Sequence, residues 1–269
     1  MLSLLEPFAE YLQRKALFRP KPLPADHRFA FEGAAFEEHF LNTPDGARLN
    51  LLRFLTPWPQ GRGVVLYFHG NRDNLQRWGF LHRDFTARGY DFVVPDYRGY
   101  GKSTGQPNER TLYEDARLVY DWVRERYPAI QIELYGRSLG SASACYLAAH
   151  VRAHRLILET PFDNIPGLVA AHLGREQVSF RSTFLFPNDR HLRQSPLPAL
   201  LFHGTDDRVV PLRSAERLRP CLKAGDEFVV IPGGTHHNLR TFDLYQHTLD
   251  RWLGHSAAYP EKYAPAGHG

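Results

Sequence analysis

The sequence has little cysteine. Its 269 residues include only Cys145 and Cys221, which lie far apart and form no Cys-x-x-Cys pattern. Two distant cysteines exclude a disulfide framework and a zinc–thiolate site as the basis of the fold. Scarce cysteine is typical of a reducing compartment, so a cytoplasmic protein is expected.

Long apolar runs are also absent. No segment approaches the ~20 apolar residues of a membrane-spanning helix. The first twenty residues are not expected to be a secretory signal, because they lack a positively charged start and because Glu6 and Glu10 interrupt the apolar residues.

The same N-terminal segment has the spacing of an amphipathic helix, with basic residues beside an apolar stripe. The stripe is formed by Leu5, Phe8, Leu12 and Leu17. Two interpretations follow. The helix packs on the rest of the chain, or residues 1–20 make a peripheral contact with a membrane surface.

Lysine is scarce, and arginine supplies most of the 33 basic residues. Against 29 acidic residues they give a formal net charge of +4. The basic residues are dispersed and form no dense block, so a nucleic-acid partner is not expected.

Short apolar runs alternate with segments of helical periodicity. The predicted strands are 63–70, 90–96, 130–136, 155–160, 198–204 and 227–233. The predicted helices are 74–89, one that begins after Asn108, 139–150 and a last one that carries Phe242 to Trp252. Runs that are apolar on both faces indicate an α/β fold with a mostly parallel sheet and helices on both sides. Ahead of them, the turn at 44–46 predicts an antiparallel hairpin.

A serine lies between two glycines where a predicted strand becomes a predicted helix. The segment is GRSLG, residues 136–140, with Ser138 at its centre. This is the G-x-S-x-G pattern of a nucleophile elbow, in which a strained turn exposes the serine hydroxyl. The alternative is a glycine-rich turn with a structural serine. Leu139 follows the serine at a helix N-terminus, where its N–H can stabilise an oxyanion.

A serine nucleophile needs a base, and the base needs an orienting carboxylate. Asp206 and Asp207 directly follow one predicted strand, and His236 and His237 follow the next. The order serine, acid, histidine is that of a triad at one edge of a parallel sheet.

Together these segments resemble the α/β-hydrolase fold. Within it they resemble the small serine hydrolases that include membrane-associated protein depalmitoylases and bacterial relatives. The matching segments are FHGNRDN (68–74), DYRGYGKSTGQPNE (96–109), GRSLG (136–140), HGTDDRVVP (203–211) and GGTHHNL (233–239).

The resemblance implies particular roles. The family's H-G-x-x-D motif falls on Asp207, and alignment on Asn238 assigns the base to His237, with His236 as the alternative. The second oxyanion donor is then the backbone of Asn71. No cofactor and no metal are implied.

The long connection 161–197 predicts a short cap over the serine's edge of the sheet. Apolar cap residues are expected to line an acyl cleft, while others complete the core. Phe162, Phe184 and Phe186 are the predicted substrate-binding residues. The expected organisation is an N-terminal helix and proline-rich lead-in over 1–30, a hydrolase domain over 31–254 and a tail over 255–269.

The predicted function is hydrolysis of short-to-medium acyl esters or thioesters, with a small-molecule or lipid-like substrate. The alternatives are a non-catalytic binding protein of the same fold, an acyltransferase and a peptidase. Arg137 is expected to be solvated rather than to contact an anionic group, and His150 and His154 to be a surface pair rather than metal ligands.

Overall fold

An eight-stranded sheet forms the centre of the computed structural model, which describes residues 6–179 and 182–254. Leu5, Phe180 and the predicted tail 255–269 lie outside the described residues. The strands of this sheet are β2 (Phe36–Asn42), β3 (Arg48–Phe54), β4 (Gly63–Phe68), β6 (Tyr90–Pro95), β7 (Ile132–Arg137), β8 (Arg155–Glu159), β9 (Ala199–Gly204) and β10 (Glu227–Ile231). A separate two-stranded sheet pairs β1 (Arg19–Pro20) with β5 (Arg72–Asp73).

The spatial order of the large sheet is β10-β9-β8-β7-β4-β6-β3-β2. The pairs from β10 to β6 are parallel, and β2 with β3 forms the predicted antiparallel hairpin at one edge. The predicted α/β class is therefore confirmed.

Helices cover both faces of this sheet. They are α1 (Glu6–Leu17), α2 (Leu75–Trp78), α3 (His82–Thr86), α4 (Glu109–Arg124), α5 (Gly140–His150), α6 (Ile165–His172), α7 (Asn188–Gln194), α8 (Leu212–Glu216) and α9 (Asp243–Trp252). Short 3-10 turns lie at 79–81, 129–131, 219–221 and 239–241.

Strand β4 shows why two cores form. All six of its residues are buried. Because successive side chains of a strand point to opposite faces, Leu66 packs with α4 and α5 while Val65 packs with α3 and α9. The continuous apolar run is thus explained by burial on both faces.

The prediction of one continuous helix over 74–89 is wrong. This segment is divided into α2, a 3-10 turn and α3. Gly79 lies at the break and packs so closely on Phe31 and Phe54 that any side chain there would overlap them. The predicted end at Gly89 is confirmed, since its φ of 84° ends the segment in the left-handed region.

Helix α1 packs on the rest of the chain. The N–H of Thr183 donates to Gln13 Oε1 at 2.8 Å, and Phe18 beyond the helix is buried. Tyr11 and Leu12 are half-exposed. Along the described residues, every helix is too short or too polar to cross a membrane.

Candidate active site

Ser138 lies at the turn from β7 to α5. Its φ of 51° is in the left-handed region, which residues with a side chain rarely adopt. Its N–H donates to the carbonyl of Glu159 at 2.9 Å, and its own carbonyl accepts from the N–H of Ser141 at 2.9 Å. The strained strand-to-helix turn expected of the GRSLG segment is therefore present.

The two glycines of this segment are required by close approach. A Cβ on Gly136 would overlap the first turn of α5, and a Cβ on Gly140 would overlap the carbonyl of Phe68 on β4. Helix α5 can therefore begin directly against the sheet and hold Ser138 at the carboxyl edge.

Asp207 follows β9 and is buried. Its Oδ1 accepts from the N–H groups of Val209 and Val210 at 2.9 and 2.8 Å. Burial acts to raise the pKa of Asp207, but the hydrogen bond from His236 and the backbone bonds outweigh it, so the pKa lies below its ordinary value. The carboxylate is therefore ionised at neutral pH.

The expectation that His237 pairs with Asp207 is wrong. The imidazole on Asp207 is that of His236, whose Nδ1 lies 2.8 Å from Oδ2. His236 is buried and His237 is exposed. The two rings are nearly perpendicular, at 88°, with centroids 5.2 Å apart. Alignment on Asn238 gave the wrong neighbour because this loop directs the earlier histidine inwards.

Arg137 is buried, which contradicts the expectation of a solvated side chain. Its Nε lies 3.4 Å from Glu159 Oε1, and its Nη2 donates to the carbonyl of His236 at 2.7 Å. Arg137 and Glu159 are register partners on neighbouring strands. Opposite charges at the ends of adjacent predicted strands were the sequence signal for this pair.

Leu139 and Asn71 lie beside Ser138 in the same cavity. The carbonyl of Asn71 accepts from the N–H of Arg19 at 3.0 Å and from the hydroxyl of Tyr100 at 2.9 Å. Within residues 6–179 and 182–254, no hydrogen bond uses the N–H of Asn71 or of Leu139. Two fixed backbone donors are thus free next to the serine.

A second histidine–aspartate pair lies behind the Asn71 loop. His69 Nε2 is 3.2 Å from Asp96 Oδ1, and both side chains are fully buried. The indole of Trp78 stacks on the His69 ring with centroids 5.5 Å apart. Neither His69 nor Asp96 lines the cavity, so this pair supports the loop from behind.

The cavity at Ser138 has a volume of about 400 Å³. Phe162 lines it, as expected, and so do Ile165 and Leu168, two further apolar residues of the cap. These two residues lie one helical turn apart on α6, a spacing that could have identified them.

Phe184 and Phe186 do not line the cavity, and their prediction as substrate-binding residues is wrong. Both are fully buried in the core. Their rings pack on Phe18, with centroids 5.8 and 6.2 Å apart. Because Phe18, which follows helix α1, covers both rings, Phe184 and Phe186 belong to the core and not to the cleft.

Across the described ranges, no group of three or more His, Cys, Asp or Glu side chains is placed to hold a metal ion. His154 Nδ1 instead lies 2.8 Å from Glu133 Oε1, and His150 stacks on Tyr146.

Comparison with known proteins finds a family model and relatives that are similar in sequence. A family model described as serine aminopeptidase, S33, matches residues 59–188. Protein ABHD12B of Homo sapiens is 29% identical over 66% of this chain and 57% of that protein. Lysophosphatidylserine lipase ABHD12 of Mus musculus is 33% identical over 58% of this chain and 44% of that protein. The chain thus spans about half the length of these curated relatives.

Comparison with solved structures finds proteins of similar fold. The esterase Pf2001 of Pyrococcus furiosus superposes with a TM-score of 0.70 at 14% identity, over 88% of this chain and 97% of that one. The esterase domain of a Rhodothermus marinus protein superposes with a TM-score of 0.61 at 20% identity, over 81% and 97%.

Proposed function

From the α/β-hydrolase fold of this chain, and its confirmed resemblance to serine hydrolases of that fold, we propose that it hydrolyses carboxylic esters or thioesters. The residues proposed to act are Ser138, His236 and Asp207. The observation that carries the proposal is that His236, which lines the cavity together with the strained Ser138, is held from behind by the buried Asp207 through a hydrogen bond of 2.8 Å. This combination meets the requirement for an activated nucleophile.

The protonation states follow from the hydrogen bond. An ionised Asp207 only accepts, so His236 Nδ1 carries a proton, and in the neutral imidazole the lone pair is then on Nε2. Nε2 can then take the proton of the Ser138 hydroxyl as its oxygen attacks the substrate carbonyl. Asp207 stabilises the imidazolium that forms.

The tetrahedral intermediate places a negative charge on the former carbonyl oxygen. The free N–H groups of Leu139 and Asn71 are the proposed donors to it. Collapse of the intermediate breaks the ester or thioester bond, and His236 gives its proton to the leaving alkoxide or thiolate. A water that loses its proton to His236 then attacks the acyl-serine and releases the acid and Ser138.

A lipid-like acyl substrate is supported by the walls of the cavity. Phe162, Ile165, Leu168 and Val210 give it apolar surface, as expected of a pocket for a neutral acyl chain. A volume of about 400 Å³ fits short-to-medium chains. One of the relatives above is named as a lipase that acts on a lysophospholipid.

The description of the matching family model makes an aminopeptidase the second candidate. An aminopeptidase must hold a cationic peptide amine, which calls for a carboxylate near the serine. No Asp or Glu is among the described residues that line the cavity, whereas Arg19, Arg72 and Arg77 are. The charge at the cavity therefore favours ester over aminopeptide substrates.

The test is the variant Ser138→Ala, assayed by fluorophosphonate labelling and by turnover of 4-nitrophenyl butyrate. Loss of labelling and a fall in turnover of at least about 10³-fold are expected, because acyl transfer then lacks its nucleophile. Ser143→Ala is the matched control, since Ser143 is buried on α5, the helix that follows Ser138, and its hydroxyl has no partner among the described residues. Full turnover by Ser138→Ala would refute the mechanism.

A further inference from the structure

Two arginines lie side by side at the mouth of the Ser138 cavity. Arg19 of β1 and Arg72 of β5 are register partners in the two-stranded sheet. Both are exposed and both line the cavity. Like charges placed opposite each other on paired strands repel, so the two arginine side chains do not stabilise this strand pair.

Neither guanidinium has a partner in the part of the chain that the structure describes. No ion pair, side-chain hydrogen bond or ring contact there involves the side chain of Arg19 or Arg72. The other two arginines of the cavity are different. Arg77 is bonded to Asp73, and Arg137 is paired with Glu159. Since no carboxylate lines the cavity, the two free charges remain uncompensated.

The position of this arginine pair is tied to the reacting centre. Arg72 directly follows Asn71, and the backbone N–H of Arg19 donates to the Asn71 carbonyl. The strand pair and the proposed oxyanion donor are therefore parts of one hydrogen-bonded unit. A group held by the two guanidinium groups would lie in the same cavity as the ester carbonyl attacked by Ser138.

We propose that Arg19 and Arg72 form an anion subsite, and that the natural ester carries a carboxylate or phosphate group that binds there. The proposal rests on the proposed esterase function and deepens it. Two adjacent planar guanidinium groups match the paired oxygens of a carboxylate or phosphate. The apolar cap side of the cavity then holds the acyl chain, and the arginine side holds the charge.

The experiment compares three soluble esters at concentrations where they are monomeric. 4-Nitrophenyl butyrate is neutral, the mono-4-nitrophenyl ester of glutaric acid has a carboxylate on the acyl part, and 4-(butyryloxy)phenyl phosphate has a phosphate on the leaving group. Acid release in a pH-stat gives kcat/KM for each ester. The double variant Arg19→Gln/Arg72→Gln is compared with the wild type.

The double variant is expected to lose about tenfold or more in kcat/KM on at least one anionic ester, and less than about twofold on the neutral ester. The wild-type advantage on that anionic ester should shrink at high salt, because the site is exposed. Arg110→Gln is the matched control and should change neither value, since Arg110 is an exposed arginine on α4 that is paired with Glu114.

Two results would overturn the subsite. In the first, kcat/KM of the double variant falls equally for the neutral and the anionic esters, which would mean that the arginines only support the Asn71 loop. In the second, kcat/KM falls for none of the three esters. No turnover of any ester, the neutral one included, would refute the esterase function itself and the subsite with it.

Discussion

At the scale of single residues, the site depends on how the backbone of each functional residue is held. Ser138 is fixed in its left-handed conformation through Glu159 and Ser141. The backbone of His236 is fixed by Arg137, whose Nη2 donates to its carbonyl at 2.7 Å. Arg137 in turn pairs with the fully buried Glu159. The nucleophile turn and the histidine loop are thus connected through one buried ion pair.

Arg137 is therefore predicted to be a positioning residue. Arg137→Gln should lower kcat for 4-nitrophenyl butyrate by about tenfold or more, with little change in KM, because His236 loses its anchor. The free energy of unfolding should fall by about 3 kcal/mol, since the buried Glu159 loses its cationic partner and keeps the hydrogen bond from Tyr135. Steady-state kinetics and urea unfolding measure the two effects.

The double variant Arg137→Gln/Glu159→Gln separates positioning from stability. Removal of the lone charge should restore much of the free energy of unfolding while kcat stays low. Recovery of kcat together with stability would show that Arg137 acts on the fold alone.

Part of this residue-scale picture follows from the sequence. GRSLG predicts the strained turn at Ser138, and HGTDD predicts an acid after β9. The choice between His236 and His237 does not follow, because adjacent residues of a loop direct their side chains to different sides and the backbone dihedrals decide which one faces inwards. The burial of Arg137 depends on the β7–β8 register, which motifs do not encode.

At the scale of elements, the cap is divided between two tasks. Helix α6, capped by Asn164, directs Ile165 and Leu168 to the cavity. Helix α7 belongs to the core side, where Asn188 donates to Ser141 Oγ and to the carbonyl of Phe162 at 3.0 Å. The sequence shows that the cap is apolar, but the division between cleft and core depends on which residues reach Phe18.

The cap predicts a limited acyl length. In a 4-nitrophenyl ester series, kcat/KM should rise by up to about fourfold per methylene, as about 0.8 kcal/mol is gained for each. It should fall once the cavity of about 400 Å³ is filled. Leu168→Ala enlarges the cavity and should move the optimum about two carbons longer.

Leu173→Ala is the control for this series, because Leu173 follows α6 but is exposed and does not line the cavity. Its optimum should be that of the wild type. An optimum at acetate, or a rise that continues to palmitate, would contradict the limited pocket.

At the scale of the whole molecule, two cores on opposite faces of the sheet hold the carboxyl edge in place. The alternation of strand and helix in the sequence predicts this arrangement well, because parallel strands must be apolar on both faces. The break at Gly79 does not follow from periodicity. At this break Gly79 packs against Phe31 and Phe54, which are distant in sequence.

The buried histidines predict how stability depends on pH. Burial, with Arg83 nearby, lowers the pKa of His82 to about 4, and burial with His150 nearby lowers that of His191 to about 4. The unfolded chain therefore takes up protons between about pH 6.5 and 4 that the folded chain does not. The free energy of unfolding should fall as pH decreases through this range, by roughly 1 kcal/mol per pH unit for each histidine.

Urea unfolding between pH 7 and 4.5 measures this dependence. His82→Phe keeps the ring that stacks on Phe54 and should make the dependence shallower. His247→Gln, at an exposed position on α9, should leave it unchanged. A slope that His82→Phe does not alter would mean that His82 binds protons equally in the folded and the unfolded chain.

The central claim is that Ser138 is activated by the histidine on Asp207, and that this histidine is His236. Its most direct test measures kcat/KM for 4-nitrophenyl butyrate in two variants, His236→Ala and His237→Ala. The two make the same substitution at neighbouring positions. We predict a loss of at least about 100-fold for His236→Ala, because the general base is removed, and of less than about tenfold for His237→Ala. The reverse order, or an undiminished His236→Ala, would contradict this account.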